Sequence, residues 1–229
     1  AVVTRLIESG RYPVQSLLLN PAAQRALGPA LSSLAPATPV FVCAAGVLTA
    51  LTGFNLHRGC LALAERPAPR RVEDVTRGAR TLVILEGVTD ADNVGSVFRN
   101  VAAFGADGVI LSPTCCDPLY RKAIRTSMAA SMSVPCARGE EGPQGLEPLR
   151  AAAVSLIALT PGEDGETLDH FVAAGRPARL ALLVGTEGAG LTPEVLKRAA
   201  CRVRIPMAPA VDSLNLAVAA GIALSRLCH

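Results

Sequence analysis

Short apolar runs alternate with stretches of helical spacing through the second part of the chain, and this alternation constrains the fold most strongly. Five apolar runs are predicted as strands, at 81–88, 108–112, 153–160, 178–185 and 202–206. Helical patterns lie between and after them, at 93–104, 118–130, from Thr192 onward and at 214–227. Such alternation predicts an α/β domain with a mostly parallel sheet and helices on both of its faces.

A smaller α/β pattern precedes this region. Its predicted strands lie at 16–20, 41–45 and 60–65. Its predicted helices lie near 1–10, 21–34 and 46–52. Between the two patterns, Pro67 and Pro69 interrupt the periodicity and arginines accumulate, as is typical of a linker. We therefore predict a small domain over 1–66, a linker over 67–80 and a larger domain over 81–229.

Composition narrows the class of protein further. Half of the 229 residues are apolar but only 3% are aromatic, so the cores must consist mainly of Ala, Val and Leu. No apolar run reaches the 18 or so residues of a membrane span, and no leader pattern is seen, so we expect a soluble, cytoplasmic protein. Because the first residue is Ala1 rather than Met, we also expect that an N-terminal piece is missing.

The net charge and the cysteine and histidine content exclude few classes of function by themselves. The net charge of +3 permits nucleic-acid binding without requiring it. Cys115 and Cys116 are adjacent, which is poor geometry for one zinc ion, and no C-x-x-C pair accompanies them. The three histidines have no matching carboxylate or cysteine partner in the sequence. We predict neither a metal site nor a nucleophilic triad.

The ligand of a parallel sheet binds beyond the carboxyl ends of its strands, and the first polar stretch there is EGVTDADNVGSVFRN. Asn93 stands at or just before a helix start. Ser96, Arg99 and Asn100 share a polar strip beside the apolar face of that helix. Arg99 either forms an ion pair with a carboxylate such as Glu86 or Asp92 or belongs to a site for an anion or polar ligand.

The second polar stretch is LLVGTEGAGLTPEVL, in which a strand leads directly into a glycine-rich loop. Gly185, Gly188 and Gly190 allow a sharp turn and a close approach of the backbone to a ligand. Their spacing differs from the G-x-G-x-x-G of a dinucleotide fold, which disfavours a nucleotide-dependent oxidoreductase, and no Gly-Lys-Ser/Thr of a P-loop follows. The carboxylate of Glu187 favours a neutral or cationic ligand.

The third stretch, RVRIPMAPAVDSLNLAVAAGIAL, joins a strand to a long apolar helix. Asp212 and Ser213 are good N-cap residues, so capping alone could account for them. Asn215 follows Leu214 at the carboxyl edge of the same sheet. Helix capping does not require this further polar residue.

Together the three stretches resemble the motifs of the SpoU/TrmH family of RNA ribose 2′-O-methyltransferases, within the SPOUT superfamily. The matching residues are Asn93, Gly95, Arg99 and Ala102, then Gly185, Glu187, Gly190 and Leu191, and finally Ile205, Pro206, Met207, Ser213, Leu214 and Asn215. The resemblance covers essentially all of 81–229. It departs from the family pattern at Ala208-Pro209-Ala210, where relatives often have Gly.

The resemblance implies a particular fold. The C-terminal parallel sheet, with helices on both faces, would contain a deep trefoil knot formed by the last segments of the chain. The stretch LHRGCLALA resembles, more loosely, part of the family's N-terminal substrate-binding domain of L30e/L7Ae type, whose opening strand would be missing before Ala1. Proteins of the family are homodimers, and the apolar final helix is compatible with such an interface.

The resemblance also assigns site residues. Arg99, Asn93, Glu187, Ser213 and Asn215 would be catalytic, with Arg99 acting as an electrostatic stabiliser or as a base. S-adenosylmethionine would be bound by Leu159, Thr160, Val184, Gly185, Thr186, Glu187, Gly188, Gly190, Ile205, Pro206, Met207, Ser213 and Leu214. RNA would contact Arg58, Arg121, Lys122 and Arg125, and no metal is implied.

The implied reaction transfers a methyl group from S-adenosylmethionine to a ribose 2′-hydroxyl. The two-domain layout favours rRNA over tRNA as the substrate. The alternative is a catalytically silent RNA-binding protein that retains the knotted fold.

Overall fold

The protein, described here from a computed structural model, divides into two units, Ala1–Ala68 and Pro69–His229, of which residues 2–53, 56 and 58–228 are described. The elements of the smaller unit are α1 (Val2–Ser9), β1 (Val14–Leu19), α2 (Pro21–Leu31), β2 (Val40–Val42), α3 (Ala45–Thr52) and β3 (Cys60–Ala64). Its sheet has the order β2-β1-β3, with β2 parallel and β3 antiparallel to β1.

The core of the smaller unit lies between its sheet and the first two helices. Leu17 and Leu19 of β1 are fully buried against Ile7 of α1 and Leu27 of α2. The predicted α/β pattern of this part is confirmed, although β2 is shorter than expected. Its likeness to L30e/L7Ae domains stays a prediction, and His57, Ala1 and His229 lie outside the described residues.

The larger unit follows the alternation that the sequence predicts. Its elements are α4 (Val72–Thr76), β4 (Thr81–Leu85), α5 (Ala91–Phe104), β5 (Gly108–Leu111), α6 (Arg121–Thr126), α7 (Ala130–Ser133), β6 (Cys136–Arg138), a 3₁₀ helix (Gly142–Leu146), α8 (Glu147–Ala151), β7 (Ser155–Leu159), β8 (Glu166–Thr167), α9 (Leu168–Ala173), β9 (Leu180–Val184), α10 (Pro193–Leu196), β10 (Cys201–Arg204) and α11 (Leu216–Leu227). The seven strands pair in parallel in the order β6-β5-β4-β9-β7-β10-β8.

Successive residues of the strands face opposite sides of this sheet, and each side carries its own core. Val83 and Leu85 of β4 belong to the core that α5, α9 and α11 cover. Leu82 and Ile84 of the same strand belong to the core that α4, α8 and α10 cover. The prediction of a parallel sheet with helices on both faces is therefore confirmed.

After β10, the chain passes along the carboxyl edge of the sheet to reach α11, which packs on α5. Residues 205–215 make this crossing without a helix or strand. The crossing brings the segment to the same edge as the loops that follow β7 and β9. The deep trefoil knot that the family resemblance implies stays a prediction.

Two predicted segments differ in the structure. The predicted linker over 67–80 contains α4, and Val72, Val75 and Ala79 are buried in a core of the larger unit. The proline and arginine content concealed this because α4 is only one turn long. The short elements β6, β8, α8 and α9 were also missed, since each is too brief to show a full period.

The predicted helix over 118–130 is the second difference. Asp117 accepts a hydrogen bond from the Leu119 amide at 2.9 Å, which forms a turn, and the helix begins only at Arg121. It ends before Met128 and Ala129, whose φ angles of 52° and 72° lie in the left-handed region. Left-handed residues cannot continue an α-helix, so two short helices replace the single one.

At the amino edge of the larger sheet, one arginine joins several segments. The guanidinium of Arg179 donates to the carbonyl oxygens of Thr76, Ala79 and Ala152 at 2.7, 2.8 and 2.7 Å, respectively. Two of these carbonyls end α4 and α8, where positive charge is favourable. Arg179 therefore pairs three acceptors at this edge, of which the Thr76 carbonyl also accepts from the Ala79 amide at 3.2 Å.

We predict that Arg179→Met lowers the free energy of unfolding by about 2–4 kcal/mol, because charge-assisted hydrogen bonds are lost and partly buried carbonyls are left unpaired. Urea unfolding followed by circular dichroism measures the change. Arg150→Met is the control: Arg150 forms an exposed ion pair with Glu147, so this variant should lose less than about 1 kcal/mol. Equal losses in the two variants would contradict the role of Arg179.

Candidate functional site

Three loops meet at the carboxyl edge of the larger sheet. They follow β4 at 86–90, β9 at 185–191 and β10 at 205–215. We call the second of these, residues 185–191, the glycine loop. Asn93, Glu187 and Asn215 lie in or next to these loops, because parallel strands deliver their carboxyl ends to one edge.

The side-chain amide of Asn215 joins all three stretches. Its Nδ2 group donates to Asn93 Oδ1 at 2.8 Å and to Glu187 Oε1 at 2.6 Å. Its Oδ1 atom accepts from the backbone amides of Ala217 and Val218 at 3.0 and 3.2 Å. Both donors and the acceptor of this amide are thus in use, and one side chain fixes the distances between three distant parts of the sequence.

Asn215 is also the N-cap of α11. Capping by Asp212 or Ser213, one of the two interpretations of this stretch, is wrong because the helix begins later, at Leu216. Ser213 is exposed, and its hydroxyl has no hydrogen-bond partner in the part of the chain that the structure describes. The third stretch therefore contributes a single side chain to the network.

The first stretch places Asn93 inside α5 rather than before it. Asp90 is the N-cap, and its Oδ1 accepts from the amides of Asp92 and Asn93 at 2.8 and 2.9 Å. Asn93 is buried on the inner side of the first turn. On the opposite side, a Cβ atom at Gly95 would lie 2.7 Å from the carbonyl oxygen of Ala123, so α6 packs directly against the α5 backbone.

The glycine loop turns back on itself. Thr186 and Gly190 exchange backbone hydrogen bonds at 3.2 and 3.1 Å, and a Cβ atom at Gly185 would overlap the backbone of Gly190 and Leu191. Only glycine fits at Gly185 for this reason. Glu187 lies at the exposed tip of the loop, where its carboxylate reaches Asn215.

Arg99 is separate from this network. It is exposed on α5 and makes no hydrogen bond or ion pair with a residue that the structure describes. The carboxylates proposed as its structural partners are used elsewhere: Glu86 binds Thr192, and Asp92 binds Lys122. The ion-pair interpretation of Arg99 is therefore wrong, and its guanidinium is available to a ligand.

The polar strip predicted on α5 is divided between two sides of the helix. Asn100 is half-buried and donates to the carbonyl oxygen of Ala217 at 2.7 Å. A Cβ atom at Gly221 would lie 2.9 Å from the Asn100 amide nitrogen. Asn100 thus fixes α5 against α11, whereas Arg99 faces solvent.

Among the predicted cofactor residues, Thr160 has an unusual feature. Its backbone amide donates to the carbonyl oxygen of Val203 at 3.0 Å, as an extension of β7. Its hydroxyl oxygen is buried and has no hydrogen-bond partner within the described residues. Leaving a buried hydroxyl unpaired costs about 1–3 kcal/mol, so such atoms mark places where a ligand or water completes the site.

The remaining predicted cofactor residues lie on the loops that flank Thr160. Val184 is buried at the end of β9, and Gly188 and Gly190 have φ angles of 87° and 70° in the glycine loop. Leu159, Ile205, Met207 and Leu214 are half-buried, and Pro206 is exposed. Along 205–215 the backbone N–H and C=O groups are largely free of strand pairing.

The predicted RNA contacts fall into two places. Arg121, Lys122 and Arg125 are exposed on α6, and Arg58 is exposed in the smaller unit. Lys122 is already paired with Asp92 at 2.9 Å, and the Thr126 hydroxyl donates to the same carboxylate at 2.7 Å. The hydrogen bond from Lys122 and that from Thr126 lower the pKa of Asp92, and the pairing raises the pKa of Lys122.

No group of His, Cys, Asp and Glu suited to a metal ion occurs among residues 2–53, 56 and 58–228. Burial raises the pKa of the Cys116, Cys201 and Cys228 thiols, which keeps them protonated. Within the same residues, no helix has the length and hydropathy that crossing a membrane requires.

One contact of the site had no signal in the sequence. Glu86, buried at the end of β4, binds the backbone amide and the hydroxyl of Thr192 at 2.9 and 2.7 Å. Thr192-Pro193 was identified as a helix start, and Thr192 is the N-cap of α10. That Glu86 is its partner, 106 positions away, follows only from the pairing of β4 with β9.

Comparison with known proteins identifies the family of the chain. Residues 80–225 match the model of the SpoU rRNA Methylase family. An uncharacterized tRNA/rRNA methyltransferase of Mycobacterium bovis is 44% identical over 185 residues, which are 81% of this chain and 64% of that protein. One of Synechocystis is 36% identical over 64% of this chain and 52% of its own length. The chain thus spans less than two thirds of the length of these relatives.

Solved structures agree with this assignment. The SpoU methyltransferase AviRb from Streptomyces viridochromogenes, in complex with AdoMet, has a TM-score of 0.80 at 25% identity, over 100% of this chain and 87% of its own. An RNA 2′-O ribose methyltransferase has a TM-score of 0.75 at 26% identity, over 99% of this chain and 84% of its own.

We predict that Asn215→Asp separates the two tasks of this side chain. An Asp caps a helix as well as an Asn, but it cannot donate to Asn93 and places a second carboxylate against Glu187. The free energy of unfolding should fall by about 1–3 kcal/mol at pH 7. Repulsion raises the carboxyl pKa in the folded state, so the loss should shrink as the pH falls and a proton is taken up.

Chemical denaturation of the wild type and the variant between pH 7 and about pH 5 measures this change. Adding Glu187→Gln is the control, because the new amide can donate to the Asp and should restore stability at pH 7. A variant as stable as the wild type at pH 7 would contradict the network.

Proposed function

Because the chain belongs to the SpoU rRNA Methylase family, we propose that it transfers a methyl group from S-adenosylmethionine to a ribose 2′-hydroxyl of RNA. One observation carries this proposal: Asn215 ties Asn93 of the first motif to Glu187 of the second. The three motifs thereby form one site at the ligand-binding edge of the sheet. The RNA 2′-O ribose methyltransferase among the similar structures supports the choice of the 2′-hydroxyl.

The residues at this edge fit S-adenosylmethionine. The unpaired Thr160 hydroxyl offers a hydrogen bond to a polar ligand. The glycine loop brings backbone groups close without side chains, which suits a nucleoside that carries no pyrophosphate. Glu187 provides negative charge beside a sulfonium cation. The end of β7, the glycine loop and residues 205–214 would hold the cofactor. The structure of AviRb in complex with AdoMet supports this choice of cofactor.

When bound, S-adenosylmethionine would supply an electrophilic methyl group: the bond from sulfur to the methyl carbon breaks as a bond to the 2′-oxygen forms, S-adenosylhomocysteine leaves, and the proton of the 2′-hydroxyl passes to solvent. The oxygen gains negative charge as its proton leaves. Arg99, exposed and without a carboxylate partner among the described residues, can stabilise this charge and bind the adjacent phosphate. An electrostatic role is favoured over that of a base because Arg resists deprotonation.

The other motif residues hold the site. Asn215 keeps the amide of Asn93 and the carboxylate of Glu187 at fixed separation. In this proposal Asn93 and Arg99 face the methyl group, and the exposed Ser213 helps to orient the acceptor ribose. Arg121, Arg125 and Lys122 on α6, together with Arg58, would contact phosphates, which position RNA without reading its sequence.

We propose that the smaller unit is an RNA substrate-binding domain of L30e/L7Ae type and that rRNA, rather than tRNA, is the substrate. Its support is the two-unit layout and the exposed Arg58. We also propose that the protein works in the cytoplasm, where ribosomes carry their rRNA. The methyl-transfer assay should include both rRNA and tRNA, so that it identifies which of them is the substrate.

The direct experiment incubates the chain with labelled S-adenosylmethionine and total rRNA or tRNA, then digests the RNA to nucleosides for mass spectrometry. A 2′-O-methylnucleoside is the expected product. Methylation of a base would contradict the ribose assignment. RNA binding without binding of S-adenosylmethionine would favour a catalytically silent RNA-binding protein.

We predict that Arg99→Ala lowers the transfer rate at least about 100-fold, the scale on which a single donor to a developing oxyanion acts. Isothermal titration with S-adenosylhomocysteine, the demethylated product, should give an unchanged Kd, because Arg99 makes no hydrogen bond or ion pair with the described residues of the proposed cofactor loops. Arg150→Ala, which removes an exposed arginine from α8, is the control and should transfer at the wild-type rate. Undiminished transfer by Arg99→Ala would refute the mechanism.

We predict that Thr160→Val weakens S-adenosylhomocysteine binding about 5–10-fold, the value of one hydrogen bond. The free energy of unfolding without ligand should stay the same or rise, because an unpaired buried hydroxyl is removed. Thr160→Ser keeps the hydroxyl and should bind as the wild type does. A loss of stability with an unchanged Kd would show that the hydroxyl serves only the fold.

We also propose a homodimer that forms through α11. Val218 and Ile222 lie one turn apart on this helix, and 52% and 38% of them are exposed. We predict that Val218→Glu combined with Ile222→Glu yields a monomer in sedimentation velocity. Val47→Glu, at an equally exposed valine of the smaller unit, is the control. A wild-type monomer, or a dimer that survives both charges, would contradict this interface.

A further inference from the structure

Glu86 binds the chain on both sides of the glycine loop. Its backbone amide donates to the carbonyl oxygen of Val184, the residue before the loop, at 3.0 Å. Its carboxylate accepts from the amide and the hydroxyl of Thr192, the residue after the loop, at 2.9 and 2.7 Å. Glu86 is the first residue of the first polar stretch but is not one of its matched motif residues, and it is buried. One residue of β4's end therefore holds the two ends of a loop that belongs to β9.

The interior of the glycine loop depends on these ends. Thr186 and Gly190 bond to each other, and Gly185 lies in contact with the backbone of Gly190. Gly87, next to Glu86, has a φ angle of 67°, and a Cβ atom there would lie 2.9 Å from the Thr186 side chain. With both ends fixed, the free tip of the loop presents Glu187 to Asn215.

We propose that Glu86 is a positioning residue that holds the glycine loop in its ligand-binding conformation and thereby sets the affinity for the cofactor. The inference rests on the proposed function, in which this loop binds S-adenosylmethionine. A loop that is ordered before binding loses less conformational entropy when the ligand arrives, so its affinity is higher. Glu86 acts through Thr192 and need not touch the ligand.

If the role of Glu86 were purely structural, its loss would change stability but not ligand affinity. Asp107 provides a control for this distinction. Asp107 also accepts two hydrogen bonds with one carboxylate, from the amides of Arg80 and Thr81 at 2.8 Å each. These contacts lie at the amino end of β4, the opposite end of the same strand. Loss of either carboxylate should affect stability, but only Glu86 should affect the ligand.

The first test compares Glu86→Gln with Asp107→Asn by titration of S-adenosylhomocysteine. A Gln at this position keeps the size of the side chain but removes its charge, so the hydrogen bonds to Thr192 are no longer charge-assisted. We expect Kd to rise about tenfold in Glu86→Gln, the equivalent of one lost charge-assisted hydrogen bond. Asp107→Asn should keep the wild-type Kd even where its unfolding temperature falls as much.

The second test asks whether Glu86 acts through Thr192. Thr192→Val should raise Kd like Glu86→Gln, the double variant should add little to either, and Thr192→Ser should keep the wild-type value. Hydrogen exchange should report faster exchange of the Gly190 amide in Glu86→Gln without ligand. If Glu86→Gln does not fold, Thr192→Val tests the same proposal.

The outcomes separate the two proposals. If the wild type binds S-adenosylhomocysteine and Glu86→Gln and Thr192→Val bind equally well, the positioning role is wrong while the proposed function stands. Equal weakening by Asp107→Asn would also overturn it, because the effect would then be one of general stability. If the wild-type chain does not bind, the proposed cofactor site fails, and the role of Glu86 fails with it.

Discussion

The site depends on the hydrogen bonds of one side-chain amide. Asn215 uses its two N–H donors for Asn93 and Glu187 and its oxygen for the first amides of α11. These hydrogen bonds hold the start of α11, the first turn of α5 and the tip of the glycine loop at fixed separations. Because Asn215 and Asn93 are 122 positions apart, this arrangement requires the complete sheet beneath it.

The sheet provides that support because its two edges have different tasks. At the amino edge, Arg179 and Asp107 satisfy backbone groups where helices end and strands begin. At the carboxyl edge, loops replace regular structure, and the buried Thr160 hydroxyl has no partner among the described residues. In the proposed function only the carboxyl edge binds the ligand, so variants at the amino edge should change stability without changing ligand affinity.

Much of the fold was predictable because the strands are buried on both sides and read as continuous apolar runs. The three motifs could also be placed at one edge, since strand ends converge there. What could not be predicted were contacts that depend on exact register. Glu86 binding Thr192, Lys122 binding Asp92 and Asn100 binding Ala217 all join residues far apart in sequence. The one-turn helix α4 was missed because proline and arginine content outweighed its brief apolar pattern.

The central claim is that the three motifs form one S-adenosylmethionine site organised by Asn215. A crystal structure of the chain with S-adenosylhomocysteine tests it most directly. The account predicts ligand density between the end of β7, the glycine loop and residues 205–214, a hydrogen bond to the Thr160 hydroxyl, and an intact Asn93–Asn215–Glu187 network. Ligand density elsewhere on the sheet, or a site in which Asn215 contacts neither Asn93 nor Glu187, would contradict it.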